Sequence, residues 1–193
     1  MINILYEDFP DSIIVGNKVY KIVTDFREWL KFADMVSDDS IPAEWKIGFM
    51  ASWIISPPDI ITAEIVDALR QFYTAADIEY IRCPESEEDT EQIERPPVFD
   101  WRIDARYVLG DFRRFYSIDL LRTEYLHWWE FRSLFSALPD ESQCKTIIGY
   151  RSVNLSEIKN ESERTRIRKI QQKLALPFEY TDEGIGDIFD NIM

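Results

Sequence analysis

The feature that most constrains this chain is an aromatic stretch between Tyr107 and Arg151, centred on the run His127-Trp128-Trp129-Glu130-Phe131-Arg132. At helical spacing, one face would carry the side chains of Leu121, Tyr125, Trp128, Arg132 and Phe135. The adjacent face would carry those of Leu126, Trp129, Ser133 and Leu134. A surface helix normally keeps one polar side. A helix of this kind must therefore be buried nearly all round, or a partner must cover half of it.

Helical periodicity continues on both sides of this centre. Leu109, Phe112 and Tyr116 recur at i, i+3 and i+7, which predicts a helix before it. Pro139 should end the central helix, because the residue before a proline disfavours the helical conformation. A further helix is predicted from about Ser142 to Arg151.

The N-terminal part begins with β-branched runs and then continues with apolar residues at helical spacing. Two β-branched runs flank Gly16-Asn17-Lys18 and predict a β-hairpin. Thr24 or Asp25 can cap the helix that follows, and Glu28 is placed to complete a capping box with Asp25. Two more helices are expected, from Pro42 to Ile55 and from Thr62 to about Ile78. The sequence therefore predicts a mainly α fold, a helical bundle with a small N-terminal β-hairpin.

Charge and composition mark the internal boundaries. The segment Glu85 to Glu94 has six carboxylates and one apolar side chain, so we expect a mobile loop. Leu155 to Leu176 reads as a long basic surface helix capped by Ser156, and an acidic tail follows. The predicted organisation has four parts: residues 1–82 as hairpin and helical subdomain, 83–97 as acidic linker, 98–176 as aromatic core with the basic helix, and 177–193 as tail.

The net charge of −14 disfavours nucleic acid and anionic membranes as partners, because both select for basic patches. The imbalance lies in the first hundred residues, with 21 acidic and 8 basic side chains, against 15 and 14 in the remainder. The longest apolar run, Ile47 to Ile55, is far shorter than the ~20 residues of a membrane helix. We also expect no signal peptide, since Glu7 and Asp8 follow the N-terminus without a basic region.

No motif for catalysis or cofactor binding is evident. His127 is the single histidine, no motif places a nucleophile beside it, and we interpret it as structural. Cys83 and Cys144 do not form a Cys-x-x-Cys pair, which argues against zinc and redox chemistry. Acidic pairs such as Asp38-Asp39 lack the spacing of a calcium loop. We therefore predict a protein that is not an enzyme and has no cofactor or metal.

Two arginines that follow aromatic residues leave two interpretations open. Arg132 and Arg151 could contact a partner, as arginine and tryptophan do at interface hot spots. Alternatively they could form internal ion pairs with an aspartate, for which the candidates are Asp104, Asp111 and Asp119. Core packing is the favoured role for the two tryptophans. The candidate partner-binding residues are Tyr125, Trp128, Arg132, Phe135, Tyr150 and Arg151.

The pattern of Tyr107 and Ser117-Ile118-Asp119-Leu120, then His127-Trp128-Trp129 with Phe131-Arg132, then Ile147-Ile148-Gly149-Tyr150-Arg151, resembles a family of phage proteins. They are encoded just before the tail tape measure protein and are regarded as tail assembly chaperones. The resemblance implies a protein that binds the long, helical, aggregation-prone tape measure polypeptide in the cytoplasm of the infected or lysogenic bacterial host. It also implies self-association and no catalytic activity.

Charge suggests how such a chaperone would divide its tasks. Apolar surface on the neutral second half would hold the client, and the acidic first half would keep the complex soluble by repulsion. Two other functions compete with this reading. One is a structural tail component retained in the virion. The other is an acidic DNA mimic that inhibits a host protein, although the acidic residues cluster and form no even stripe.

Overall fold

The computed structural model describes residues 6–75 and 98–176. The predicted acidic loop, Cys83 and the tail 177–193 lie outside these residues. Seven α-helices and one antiparallel hairpin occupy the described ranges, so the predicted mainly α fold with an N-terminal hairpin is confirmed. The elements are β1 Ser12–Val15, β2 Lys18–Lys21, α1 Phe26–Val36, α2 Ala43–Met50, α3 Ala63–Thr74, α4 Ala105–Tyr116, α5 Trp128–Ser136, α6 Gln143–Ser152 and α7 Glu161–Leu174.

The chain divides into two compact units, and the division is not sequential. Among the described residues, the first unit contains 6–75 together with Tyr125–Ser133. The second unit contains 98–124 and 134–176. The aromatic centre of the sequence therefore belongs to the same unit as the N-terminal hairpin.

The hairpin of the first unit closes through a two-residue turn. Gly16 has φ +59°, the left-handed conformation that such a turn requires and that glycine adopts without strain. Val15 pairs with Lys18 and the ladder ends where Ser12 pairs with Lys21. Ile13 points into the core.

Caps set the ends of the N-terminal helices. Asp25, one of the two predicted caps, caps α1 by accepting the backbone N–H of Arg27 at 2.9 Å. Glu28 pairs with Lys31, not with the cap amide that a capping box would require. α2 ends at Met50, five residues before its predicted end, because a 3₁₀ turn follows and Ile54 then runs extended to bridge to Ile22.

Backbone pairing brings the aromatic centre into the first unit. The N–H of Phe26 donates to the Leu126 carbonyl at 2.9 Å, and the N–H of Trp128 donates to the Thr24 carbonyl at 2.8 Å. Because the residues before Trp128 are extended, α5 starts at Trp128. The predicted helical face from Leu121 onwards was therefore wrong, and Leu121 and Tyr125 lie exposed before the helix.

The second unit is built from α4, α6 and α7. Asp111 on α4 is buried, and its carboxylate caps the N-terminus of α6. It accepts the N–H of Gln143 at 3.1 Å and of Cys144 at 2.8 Å. Ser142 is the N-cap residue of α6, which begins close to the predicted start near Ser142. α7 begins after Asn160, whose side chain accepts the N–H of Glu163. The predicted basic helix is therefore present, but its predicted start at Leu155 with Ser156 as cap was wrong, since Leu155–Glu157 forms a separate 3₁₀ turn.

Candidate functional site

The two adjacent tryptophans of α5 cap the end of α3. The indole N–H of Trp128 donates to the Tyr73 carbonyl and that of Trp129 to the Phe72 carbonyl, both at 2.8 Å. The last carbonyls of an α-helix lack the usual partner one turn further on, so an external donor stabilises them. The Phe72 carbonyl also accepts the backbone N–H of Ala75 at 3.1 Å. Trp128 has no exposed surface and Trp129 is buried. Both rings therefore pack in the core of the first unit.

Arg132 contributes to the same helix end. Its Nη1 donates to the Tyr73 carbonyl at 3.2 Å, and its guanidinium lies 5.8 Å from the centre of the Trp128 ring. A cation at the C-terminus of a helix is stabilised by the helix dipole. Arg132 is half-buried and has a structural role in the first unit.

His127 stands immediately before α5 with both ring nitrogens engaged. Nδ1 accepts the backbone N–H of Trp129 at 3.0 Å, so the proton resides on Nε2, which donates to the Pro10 carbonyl at 3.1 Å. The imidazole also stacks on Phe9 with 4.8 Å between ring centres. Burial lowers the pKa of His127, although the bond to Pro10 acts in the opposite direction. This geometry uses the imidazole as a neutral helix cap.

In the second unit, Arg151 and Asp104 form a buried ion pair. The N–O distances are 2.5 and 3.0 Å, and the side chains are 8% and 1% exposed. Arg151 also donates to the carbonyls of Val98 and Leu174. The internal interpretation of this arginine is thereby confirmed, with Asp104 as its partner.

The remaining candidate partner-binding residues are also divided between the two units. Phe135 packs against Phe99 and Trp101 in the second unit, with ring centres 5.1 and 4.9 Å apart. Tyr150 is half-buried there. Tyr125 lies exposed in the first unit, its hydroxyl 2.8 Å from that of Thr24. The six residues do not form one surface within either unit, and their contact with a partner stays a prediction.

Sequence reasoning missed the exposed aromatic pair of α2. Trp45 and Phe49 are 63% and 45% exposed, whereas Lys46 between them is 3% exposed. The Lys46 ammonium donates to the Val36 carbonyl at 2.7 Å. The available signal was that two neighbouring stripes of α2, Trp45 with Phe49 and Lys46 with Met50, each contain a large apolar side chain. Periodicity alone cannot tell which stripe faces inward.

Exposed large apolar side chains are concentrated in the first unit. Ten are exposed among the described residues, and only Ile103 and Leu121 belong to the second unit. The expected placement of apolar surface on the neutral second half is therefore not what the structure shows. The eight in the first unit are Tyr6, Ile14, Val19, Trp45, Phe49, Ile55, Ile60 and Tyr125.

An open cavity of about 440 Å³ lies between the hairpin and α3. Its apolar side includes Ile14 and Ala68, and Glu64 and Asp67 lie on its polar side. Asp67 already binds Arg70, which lowers the pKa of its carboxyl. In the described ranges, no three acidic, histidine or cysteine side chains come together as a metal site. No helix in those ranges has the length and apolar character to span a membrane.

These observations define a mainly α protein in which buried tryptophan and histidine side chains cap helices and the first unit exposes large apolar side chains. Residues 5–176 match the model of a family described as Bacteriophage Gp15 protein. The chain belongs to this phage protein family. No curated protein and no solved structure matches it.

Proposed function

We propose that this protein is a tail assembly chaperone that binds the tape measure protein and keeps it soluble during tail morphogenesis. It acts in the cytoplasm of the bacterial host and catalyses no reaction. The observation that carries this proposal is the concentration of exposed large apolar side chains in the first unit of a phage protein whose first hundred residues are strongly acidic. Single exposed apolar residues are ordinary, but eight in one small unit suit a protein that shields an apolar client.

The physical basis is apolar burial combined with charge repulsion. Fully burying one large apolar side chain is worth about 1.5–3 kcal/mol. Several such contacts are needed, since micromolar affinity corresponds to about 8 kcal/mol beyond the cost of association. A client coated by copies of a chain with net charge −14 would gain like charges that oppose aggregation.

Co-expression with the tape measure polypeptide of the same phage tests the proposal. The soluble fraction of the tape measure polypeptide should rise with this protein and not with an unrelated acidic protein of similar size. An unchanged soluble fraction would contradict chaperone activity. The proposal also predicts that purified virions lack this protein, which mass spectrometry measures. Its presence at stoichiometric amounts would indicate a structural tail component instead.

A further inference from the structure

The outer edge of β1 carries unpaired main-chain groups. In an antiparallel ladder, residues that exchange hydrogen bonds with the partner strand alternate with residues that do not. The N–H of Ile22 donates to the Asp11 carbonyl at 2.9 Å, so the odd-numbered residues along β1 direct their main-chain groups towards β2. The N–H and carbonyl groups of Ser12 and Ile14 therefore point the opposite way. Within the described residues, neither has a hydrogen-bond partner on that side.

A groove borders this edge, and we call it the β1 groove. It is the cavity of about 440 Å³ between the hairpin and α3. One wall is formed by Ile14, Val15 and the turn residue Gly16, and the opposite wall by α3, where Ala63 and Ala68 have small side chains. Because Ile14 is 71% exposed, this edge of β1 is open to solvent. An unpaired strand and a helix thus form the two sides of one open groove.

An extended polypeptide is the ligand that this edge specifies. Unpaired N–H and carbonyl groups along a strand edge are a template for pairing with another strand. A helix has already satisfied its own main-chain groups and cannot pair in this way. In strand addition, main-chain hydrogen bonds provide the affinity, and side-chain contacts add specificity. The β1 groove therefore selects for extended conformation more than for a particular sequence.

We propose that an extended segment of the client adds to β1 as a third strand of the sheet and lies in the β1 groove. This inference rests on the proposed chaperone function and names the binding site and the conformation of the bound client. Aggregation-prone segments have high β-propensity and low net charge. Pairing such a segment with β1 would withdraw it from pairing with other client chains.

The β1 strand of a second copy does not fit the β1 groove. Its other edge is paired with its own β2 along all four residues. If that strand entered the groove by its free edge, its β2 would lie where α3 forms the opposite wall. A strand with no neighbour on its far side meets no such obstacle. The groove therefore suits a single extended segment.

The binding test uses two labelled peptides of about eight residues, a common strand length. Both alternate valine and threonine, which favour strands, and both end in lysines for solubility. One peptide is N-methylated at all its central residues, so it keeps the side chains but loses its main-chain donors on both edges. Fluorescence anisotropy measures the binding of each peptide to the full chain.

Three variants of the full chain locate the site. Ile14→Pro removes an outward N–H from β1, and Val19→Pro is its matched control. The two residues face each other across the hairpin and are 71% and 64% exposed, but the N–H of Val19 points to the outer edge of β2. Proline is tolerated at strand edges where no ladder bond is lost. Ala68→Trp narrows the groove from the side of α3 and leaves the strand unchanged, so it decides the outcome if Ile14→Pro does not fold.

The unmodified peptide should bind the wild type and Val19→Pro alike, and Ile14→Pro and Ala68→Trp about tenfold or more weakly. The N-methylated peptide should bind the wild type at least about tenfold more weakly than the unmodified peptide does. Equal binding of the two peptides overturns the inference. So does undiminished binding by a folded Ile14→Pro or by Ala68→Trp.

Hydrogen exchange of the Ile14 amide, followed by NMR, reports directly whether the edge is covered. In the free protein this amide should exchange about as fast as that of Val19, and the unmodified peptide should slow it at least about tenfold without affecting Val19. Protection in the free protein equal to that of Ile13 would show that the chain itself pairs with this edge. Protection that rises with protein concentration would identify a second copy. Either result overturns the inference.

Co-expression separates this inference from the proposed function. If Ile14→Pro and Ala68→Trp solubilise the tape measure polypeptide as well as the wild type does, chaperone activity stands and the β1 groove is not its binding site. If the wild type solubilises nothing while the unmodified peptide binds as described, the chaperone function fails. The β1 groove then stands as a site for extended segments, and the client as its occupant is overturned.

Discussion

Arg151 on α6 and Asp104 at the start of α4 form a bidentate ion pair, and their side chains are 8% and 1% exposed. Two further carbonyls accept from the same guanidinium. The other two aspartates that the sequence offered have separate roles. Asp111 caps α6, and Asp119 pairs with Arg113 near the surface.

Removing one partner of this pair should destabilise the protein strongly. Arg151→Met leaves the Asp104 carboxylate buried without its cation, at a cost of about 3–5 kcal/mol in the free energy of unfolding. The double variant Arg151→Met with Asp104→Leu should recover much of that loss, because no charge is left buried. Urea unfolding of the wild type, both single variants and the double variant measures this. Additive losses in the double variant would show that the two side chains act independently.

The indole N–H groups that cap α3 should contribute beyond the packing of their rings. Trp129→Phe keeps an aromatic ring but removes the indole donor, while the Phe72 carbonyl keeps the Ala75 N–H at 3.1 Å, so we expect a loss of about 0.5–1.5 kcal/mol. Trp45→Phe is the control, since Trp45 is exposed on α2 and its change should alter thermal stability little. Equal melting temperatures for the two variants would contradict a capping role for Trp129.

His127 should make stability depend on pH near neutrality. Its pKa is lower in the folded protein than in the unfolded chain, so the unfolded chain binds more protons as pH falls. The neutral imidazole therefore contributes fully above the unfolded pKa of about 6.5, and this contribution is lost as pH falls below it. The rings that surround His127 come from Phe9, Phe72 and Trp129, none of which titrates.

His127→Asn isolates this effect, because asparagine is neutral and is itself a good helix cap. Melting temperatures measured between about pH 7.5 and pH 5.5, where histidine titrates, should fall more for the wild type than for the variant. Parallel curves would assign the pH dependence to other groups.

Cys144 should be inert in the folded protein. Burial raises the pKa of its thiol, and the neighbouring Asp111 raises it further. The thiolate is the reactive species, so a thiol reagent at pH 8 should label Cys144 only as the chain unfolds. A Cys83→Ser background makes the labelling specific. Rapid modification without loss of helical signal would show that the α4 and α6 contact opens readily.

Local chemistry in the sequence was sufficient for several elements. The β-branched runs around Gly16-Asn17 predicted the hairpin, and a cap at Thr24 or Asp25 predicted the start of α1. The helix predicted from near Ser142 begins at Gln143. These signals act over a few residues, because turns and caps satisfy nearby backbone groups. The mainly α class followed from the helical spacing of apolar residues. The resemblance to phage proteins agreed with the family to which the chain belongs.

Tertiary structure decided what local patterns left open. The apolar period of the central segment extended to Leu121, but backbone pairing of Leu126 and Trp128 with residues 24–26 set the start of α5. Two neighbouring stripes of α2 each contain a large apolar side chain, and the stripe with Lys46 and Met50 faces the interior, where the Lys46 ammonium donates to the Val36 carbonyl. The sequence could not distinguish three aspartates as partners for Arg151. The packing of α4 against α6 places Asp104 beside it. Each choice depends on a group far away in sequence, and helical periodicity describes only the neighbours of a residue on its own helix.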